Sequence, residues 1–168
     1  MNNSRTSKLV YLGLMVGIAL ALHIIESFLP IPAPVPGAKL GLANIAALYV
    51  IIRMGTRDAV IVTILRTTLG ALYGAGLFAP TFLLSFAGGV VSTLVMGICH
   101  RVFGKHFSIM GLSVLGAVTH NVAQLAAACL MFEQIGFFYY LPYLLFYALP
   151  TGFFVGIVTQ QLARKIRF

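Results

Sequence analysis

The positive charges of this chain are bunched, and the stretches between the bunches are almost wholly apolar. Of eleven Lys and Arg residues, all but Lys39 and Arg66 belong to four short clusters: Arg5 and Lys8; Arg53 and Arg57; Arg101 and Lys105; and Arg164, Lys165 and Arg167. Each spacer is long enough for one or two passages through a bilayer. Loops rich in Lys and Arg stay on the cytoplasmic side, so the clusters predict orientation as well as class. Lys39 and Arg66 stand out because they lie in or beside apolar segments, where an unpaired charge is expensive.

Composition points the same way. The 168 residues are 60% hydrophobic and 8% charged, against about 25% charged in an ordinary soluble domain. Such a chain cannot clothe a water-facing surface, and it reads as one transmembrane domain over residues 1–168. The net charge of +8 is dispersed over loops. That argues against nucleic acid and for positive-inside topology with contact to anionic lipid. Cys99 and Cys129 lie in apolar runs without metal-ligand spacing, as inert thiols do. The first apolar run lacks a small-residue cleavage site and passes through His23 and Glu26 into a proline-rich loop. It reads as a retained helix.

Apolar length and helix breakers predict an all-α bundle of six transmembrane helices, over about residues 9–29, 39–53, 59–73, 81–103, 108–132 and 137–164. Both termini fall in the cytoplasm. The alternating prolines of Ile31–Gly37 cannot be helical, and they form a stiff outer loop. Helix 2 is short for a bilayer core, so Lys39 either snorkels outward or faces a protein cavity. Gly55–Asp58 makes a cytoplasmic turn and Glu133–Gly136 an outer one. Pro142 and Pro150 are expected to bend helix 6. There is no internal repeat of the inverted-transporter kind, and the long, non-alternating apolar runs exclude a transmembrane barrel.

Small residues recur at helical spacing: Gly13, Gly17 and Ala21 on helix 1, Gly152 and Gly156 on helix 6, and Ser85, Gly88, Gly89 and Ser92 on helix 4. In lipid, helices associate through close backbone approach and dispersion. The Gly13-Gly17-Ala21 stripe therefore serves either internal packing or docking of another membrane subunit, and spacing does not choose between them.

Polar residues form a second pattern. Thr63, Arg66, Thr67, Gly70 and Tyr73 share one face of helix 3. Mid-helix, Arg66 cannot snorkel and should face the interior. His120, Asn121 and Gln124 fall within about one turn of helix 5. His23 and Glu26 lie near the outer end of helix 1, and Lys39 and Asn44 near that of helix 2. Each has a structural alternative: an Arg66–Glu26 ion pair, or carboxamides worth about 0.6 kcal/mol apiece as interhelical glue. Together they describe a cavity with more cations than acids, suited to a solute bearing an anionic or electron-rich group. Tyr73, Tyr139, Tyr140 and Tyr143 suit an interfacial aromatic belt or ring stacking.

Catalytic patterns are missing. Glu26, Asp58 and Glu133 are the only acids, they are far apart in the predicted topology, and no Gly-Lys-Ser/Thr phosphate loop occurs. Neither an acid/base pair, a metal site nor a cofactor is expected, and the chain is not expected to be an enzyme.

Pro36-Gly37-Ala38-Lys39-Leu40-Gly41-Leu42-Ala43-Asn44-Ile45 and Gly116-Ala117-Val118-Thr119-His120-Asn121-Val122-Ala123-Gln124-Leu125 resemble the two signature stretches of a bacterial membrane family. That family is labelled "Gx transporter" or "heptaprenyl diphosphate synthase component I". It is in turn similar to substrate-binding S components of energy-coupling factor (ECF) vitamin transporters. The resemblance implies a six-helix binding subunit in the bacterial cytoplasmic membrane. It would hold a ligand beneath the helix 1–2 loop and dock through helix 1 onto a membrane T component served by two cytoplasmic ATPases.

The expectation is thus a membrane-embedded subunit that captures a small organic molecule, anionic or vitamin- and flavin-like. Glu26, Lys39, Asn44, Arg66, His120, Asn121 and Gln124 would line its site, Pro30–Pro36 would gate it, and Gly13, Gly17 and Ala21 would meet the partner. The alternative is a non-catalytic membrane accessory of heptaprenyl diphosphate and menaquinone biosynthesis. A third reading is a proton-coupled carrier using His23, Glu26 and His120.

Overall fold

The computed structural model describes residues 3–28, 41–74, 76–104 and 106–165. Lys39 and the Pro30–Pro36 loop lie outside the described residues. All regular structure among those described is helical: α1 (Asn3–Phe28), α2 (Asn44–Met54), α3 (Thr56–Tyr73), α4 (Pro80–Phe103), α5 (Ile109–Phe132), a 3-10 helix (Ile135–Tyr140) and α6 (Leu141–Lys165).

Four segments are long and apolar enough to cross a membrane: residues 5–26, 80–103, 109–132 and 135–165. The chain is a helical membrane protein. The two remaining helices differ for separate reasons. α2 has 11 residues, about 16 Å of helix. α3 has 18 residues but carries Arg57, Asp58 and Arg66.

α2 is the centre of the bundle. It packs against α1, α3, α4 and α6, and all seven residues from Ile45 to Ile51 are buried. A helix apolar on every side needs protein or lipid all round, and neighbouring helices supply it here. Around it, α3 joins α1 to α4, and α5 packs between α4 and α6. Two short ties close the end that carries the basic clusters. Lys8 Nζ lies 2.8 Å from Asp58 Oδ2, and Arg53 Nη2 donates to the Ala163 carbonyl at 2.7 Å.

Several boundaries differ from the expected ones. α1 begins at Asn3 rather than residue 9, because its polar first turns are anchored by the Lys8–Asp58 pair. α2 begins at Asn44, not at residue 39. Gly41 has φ 76°, a left-handed conformation that glycine accepts readily, and its carbonyl accepts from the Asn44 N–H at 2.8 Å. The expected turn at 55–58 shrinks to Gly55 alone (φ 102°, ψ 174°), and Thr56–Asp58 join α3. There Asp58 sits in the first turn, where the helix dipole favours an acid. The connection after α5 turns on Glu133 in the left-handed region. A 3-10 helix follows, and α6 begins at Leu141 with Pro142 in its first turn, a position where the missing N–H costs nothing. Pro150 lies inside α6.

Small residues divide into two uses. A Cβ at Gly152 would meet the Val114 Cα at 2.8 Å, and one at Gly156 the Met110 Cα at 2.7 Å, so α5 and α6 touch backbone to backbone. Gly13 and Gly17 have nothing within 4 Å of a built Cβ, and both are exposed together with Ala21. The α1 stripe takes no part in packing among the described residues.

Candidate functional site

Arg66 lies ten residues into α3, about 15 Å along its axis. It is 5% exposed, so its charge is inside the bundle. The backbone of α4 makes this possible, because a Cβ at Gly89 would lie 3.4 Å from Arg66 Nη2. Below it, the hydroxyls of Thr63 and Thr93 meet at 3.0 Å and tie α3 to α4. Arg66 Nη2 donates to Asn44 Oδ1 across a long 3.4 Å. Its Nε, also buried, has no hydrogen-bond partner among the described residues.

The guanidinium faces a chamber of about 50 Å³ that is lined also by His23, Glu26, Asn44, Thr67, Ser85, His120 and Asn121. Room of that size holds a few waters or one small functional group, since a water needs about 10–15 Å³. Each imidazole rests on a glycine. A Cβ at Gly70 would lie 2.9 Å from His23 Cδ2, and one at Gly88 would lie 2.9 Å from His120 Cε1. Glycines on α3 and α4 thus make space for polar side chains, in addition to any helix packing.

Glu26 is 3% exposed and accepts a hydrogen bond from the Gly41 N–H. Its carboxylate also acts electrostatically on Arg66. One side chain therefore fixes the entry into α2 and offsets the buried cation. Asn121 Nδ2 donates to the Leu144 carbonyl at 3.1 Å, bridging α5 and α6.

The α5 wall follows one face, through Ser113, Gly116, Ala117, His120 and Asn121, about 12 Å along the helix. Toward the basic end, the chamber is closed by Leu48, Met96 and Val155, with Ser113 as a polar exception. Ser113 Oγ is buried without a hydrogen-bond partner among the described residues.

Of the seven ligand-site residues expected from sequence, Glu26, Asn44, Arg66, His120 and Asn121 line this one chamber. Gln124 does not: the α5 wall ends one turn earlier, at Asn121. Lys39 lies outside the described residues. Ser113, Tyr147 and Thr151 line the chamber and were not singled out by sequence. Tyr147 lies one turn before Thr151, beside the face of α6 that carries Ala148 and Gly152. Tyr73 and Tyr139 are well exposed, at 71% and 90%, as an interfacial belt requires.

Fold and chamber together define a helical membrane protein with a polar hollow inside its bundle, lined among the described residues by one cation, Arg66, and one acid, Glu26. The chain belongs to the family described as heptaprenyl diphosphate synthase component I, which matches it over residues 15–162. No curated protein and no solved structure matches it.

Proposed function

We propose that this protein is a non-catalytic membrane subunit that holds a small organic molecule inside its helical bundle. The reading rests on one observation: Arg66, buried at mid-helix with its Nε unpartnered, faces a chamber walled by two imidazoles and two carboxamides. A cation is costly at such depth, and polar groups aimed at a shared hollow are the usual mark of a binding site. In this reading all six helices cross the bilayer and both termini are cytoplasmic. α2 is admitted because its neighbours shield it from lipid, and α3 because it turns Asp58 and Arg66 inward and presents Ile61, Leu65 and Leu69 outward.

Two roles suit such a subunit. One is substrate capture for an ECF-type transporter, with Gly13, Gly17 and Ala21 of α1 docking a T component that two ATPases serve. The outward-facing stripe on α1 supports it. The other is an accessory to heptaprenyl diphosphate synthesis. The family description favours this second role. In it, the chain supplies a membrane seat and a soluble synthase supplies the aspartates that hold magnesium and diphosphate. Both roles leave reaction chemistry to partners.

Affinity purification in mild detergent, with mass spectrometry of retained small molecules and of co-purifying proteins, tests the proposal. A retained small molecule that is lost in Arg66→Gln is expected. Company of ATPases selects transport, and company of an aspartate-rich synthase selects the accessory role. A protein that retains nothing, or retains the same molecule without Arg66, removes the binding reading.

A further inference from the structure

A second hollow, of about 260 Å³, adjoins the chamber. His23, Thr67 and Ser85 line both, so the two spaces meet across these side chains. The larger hollow lies over the Thr67, Gly70 and Ala71 face of α3, between α1 and the start of α4. No charged side chain lines it among the described residues, and Ile24, Ala71, Tyr73 and Phe82 give it apolar walls.

The two spaces ask for different chemistry. Arg66 Nε can only donate and is buried without an acceptor, as Ser113 Oγ is buried without a partner. A ligand oxygen would offer the Arg66 guanidinium an acceptor. The described charges of the inner chamber, Arg66 and Glu26, sum to zero. A head with several negative charges would place excess negative charge beside the Glu26 carboxylate, which is costly inside the bundle. Size divides the ligand further. About 50 Å³ admits a carboxylate-sized group, and a ring or branched chain needs the larger space.

We infer that the site takes an amphipathic molecule whose compact, at most singly charged oxygen-acceptor head meets Arg66, with its uncharged body in the hollow between α1, α3 and α4. This rests on the binding role proposed above and names its ligand class. It also separates that class from polyanionic diphosphates.

The test uses the full chain in lipid nanodiscs and reads thermal unfolding against three probes: propionate as head alone, 3-phenylpropionate as head with body, and inorganic diphosphate. 3-Phenylpropionate is expected to half-saturate at a concentration about tenfold below propionate, and diphosphate to give no stabilisation. Thr81→Phe, at the exposed rim of the larger hollow, should erase the advantage of 3-phenylpropionate and leave the propionate response unchanged. Ala71→Phe, in its wall, should do the same. If Ala71→Phe fails to fold, Thr81→Phe decides alone. Equal half-saturation by the two acids, no response to either, or a stronger response to diphosphate overturns the inference. The binding role itself is judged separately, by the molecules retained through purification.

Discussion

Arg66 concentrates the physics of this protein in one side chain. Removing its charge takes a buried countercharge from the Glu26 carboxylate, so Arg66→Gln should destabilise the fold by about 3 kcal/mol. Pairing it with Glu26→Gln should recover much of that loss, because the carboxylate's charge goes together with that of Arg66. The double variant should unfold near the wild-type temperature yet gain no stabilisation from a ligand that stabilises wild type. Ligand stabilisation that survives in the double variant would assign Arg66 a purely structural role. The glycines beneath the imidazoles make a paired prediction. At Gly88 a methyl group would meet both the His120 ring and its carbonyl oxygen at 3.0 Å. Backbone cannot yield cheaply, so Gly88→Ala should cost about 1–3 kcal/mol. At Gly70 the obstacle is the His23 ring and the tip of Leu20, side-chain atoms that give way at lower cost than backbone. Gly70→Ala should keep its melting temperature closer to wild type while changing ligand affinity, as titration of the two variants would reveal. Arg66, His120 and Asn121 are legible in sequence because polar groups are rare in apolar helices. Ser113 and Thr151 are not, because a hydroxyl in a membrane helix commonly bonds its own backbone. Thr151 does so, to the Tyr147 carbonyl at 2.9 Å; only tertiary structure reveals that Ser113 has no such partner among the described residues.

Among the elements, α2 is the one whose place sequence conceals. Its length is too short to span unaided, and nothing in its composition distinguishes a buried central helix from a short peripheral one. The connection to α3 is equally specific. Gly55 holds φ 102° and ψ 174°, a region that costs a residue with a Cβ of order 1–3 kcal/mol. It lets α2 reverse into α3 through a single residue. Gly55→Ala should lower stability by that amount, measured as the unfolding free energy of detergent-solubilised protein, although a Cβ there would meet no neighbour within 4 Å. An unchanged stability would show that the reversal relaxes to another backbone conformation. The 3-10 segment before α6 was hidden for a different reason. Phe137–Tyr140 are apolar and look helical, and Pro142 sets where the α-helix begins without declaring what precedes it.

At the scale of the molecule, the basic clusters and the ties among them place one set of helix ends together. Lys8 with Asp58 joins α1 to α3, and Arg53 with the Ala163 carbonyl joins α2 to α6. Cysteine labelling with a membrane-impermeant maleimide on intact cells tests the orientation, in a background with Cys99 and Cys129 replaced by serine. Tyr73→Cys and Tyr139→Cys should react, and Arg57→Cys and Arg101→Cys should react only after lysis. Positions 57 and 73 bracket α3, so equal labelling of both would deny that α3 crosses. The sequence by itself determined that this is a helical membrane protein, and it named most of the polar side chains in the chamber. Burying charge in lipid is so unfavourable that each exception is conspicuous. Tertiary structure alone decided that α2 is central, that the α1 stripe faces outward, that Gln124 stands clear of the chamber and that a second hollow adjoins it. Those outcomes depend on which helix faces which, and helical periodicity fixes a face without fixing its neighbour.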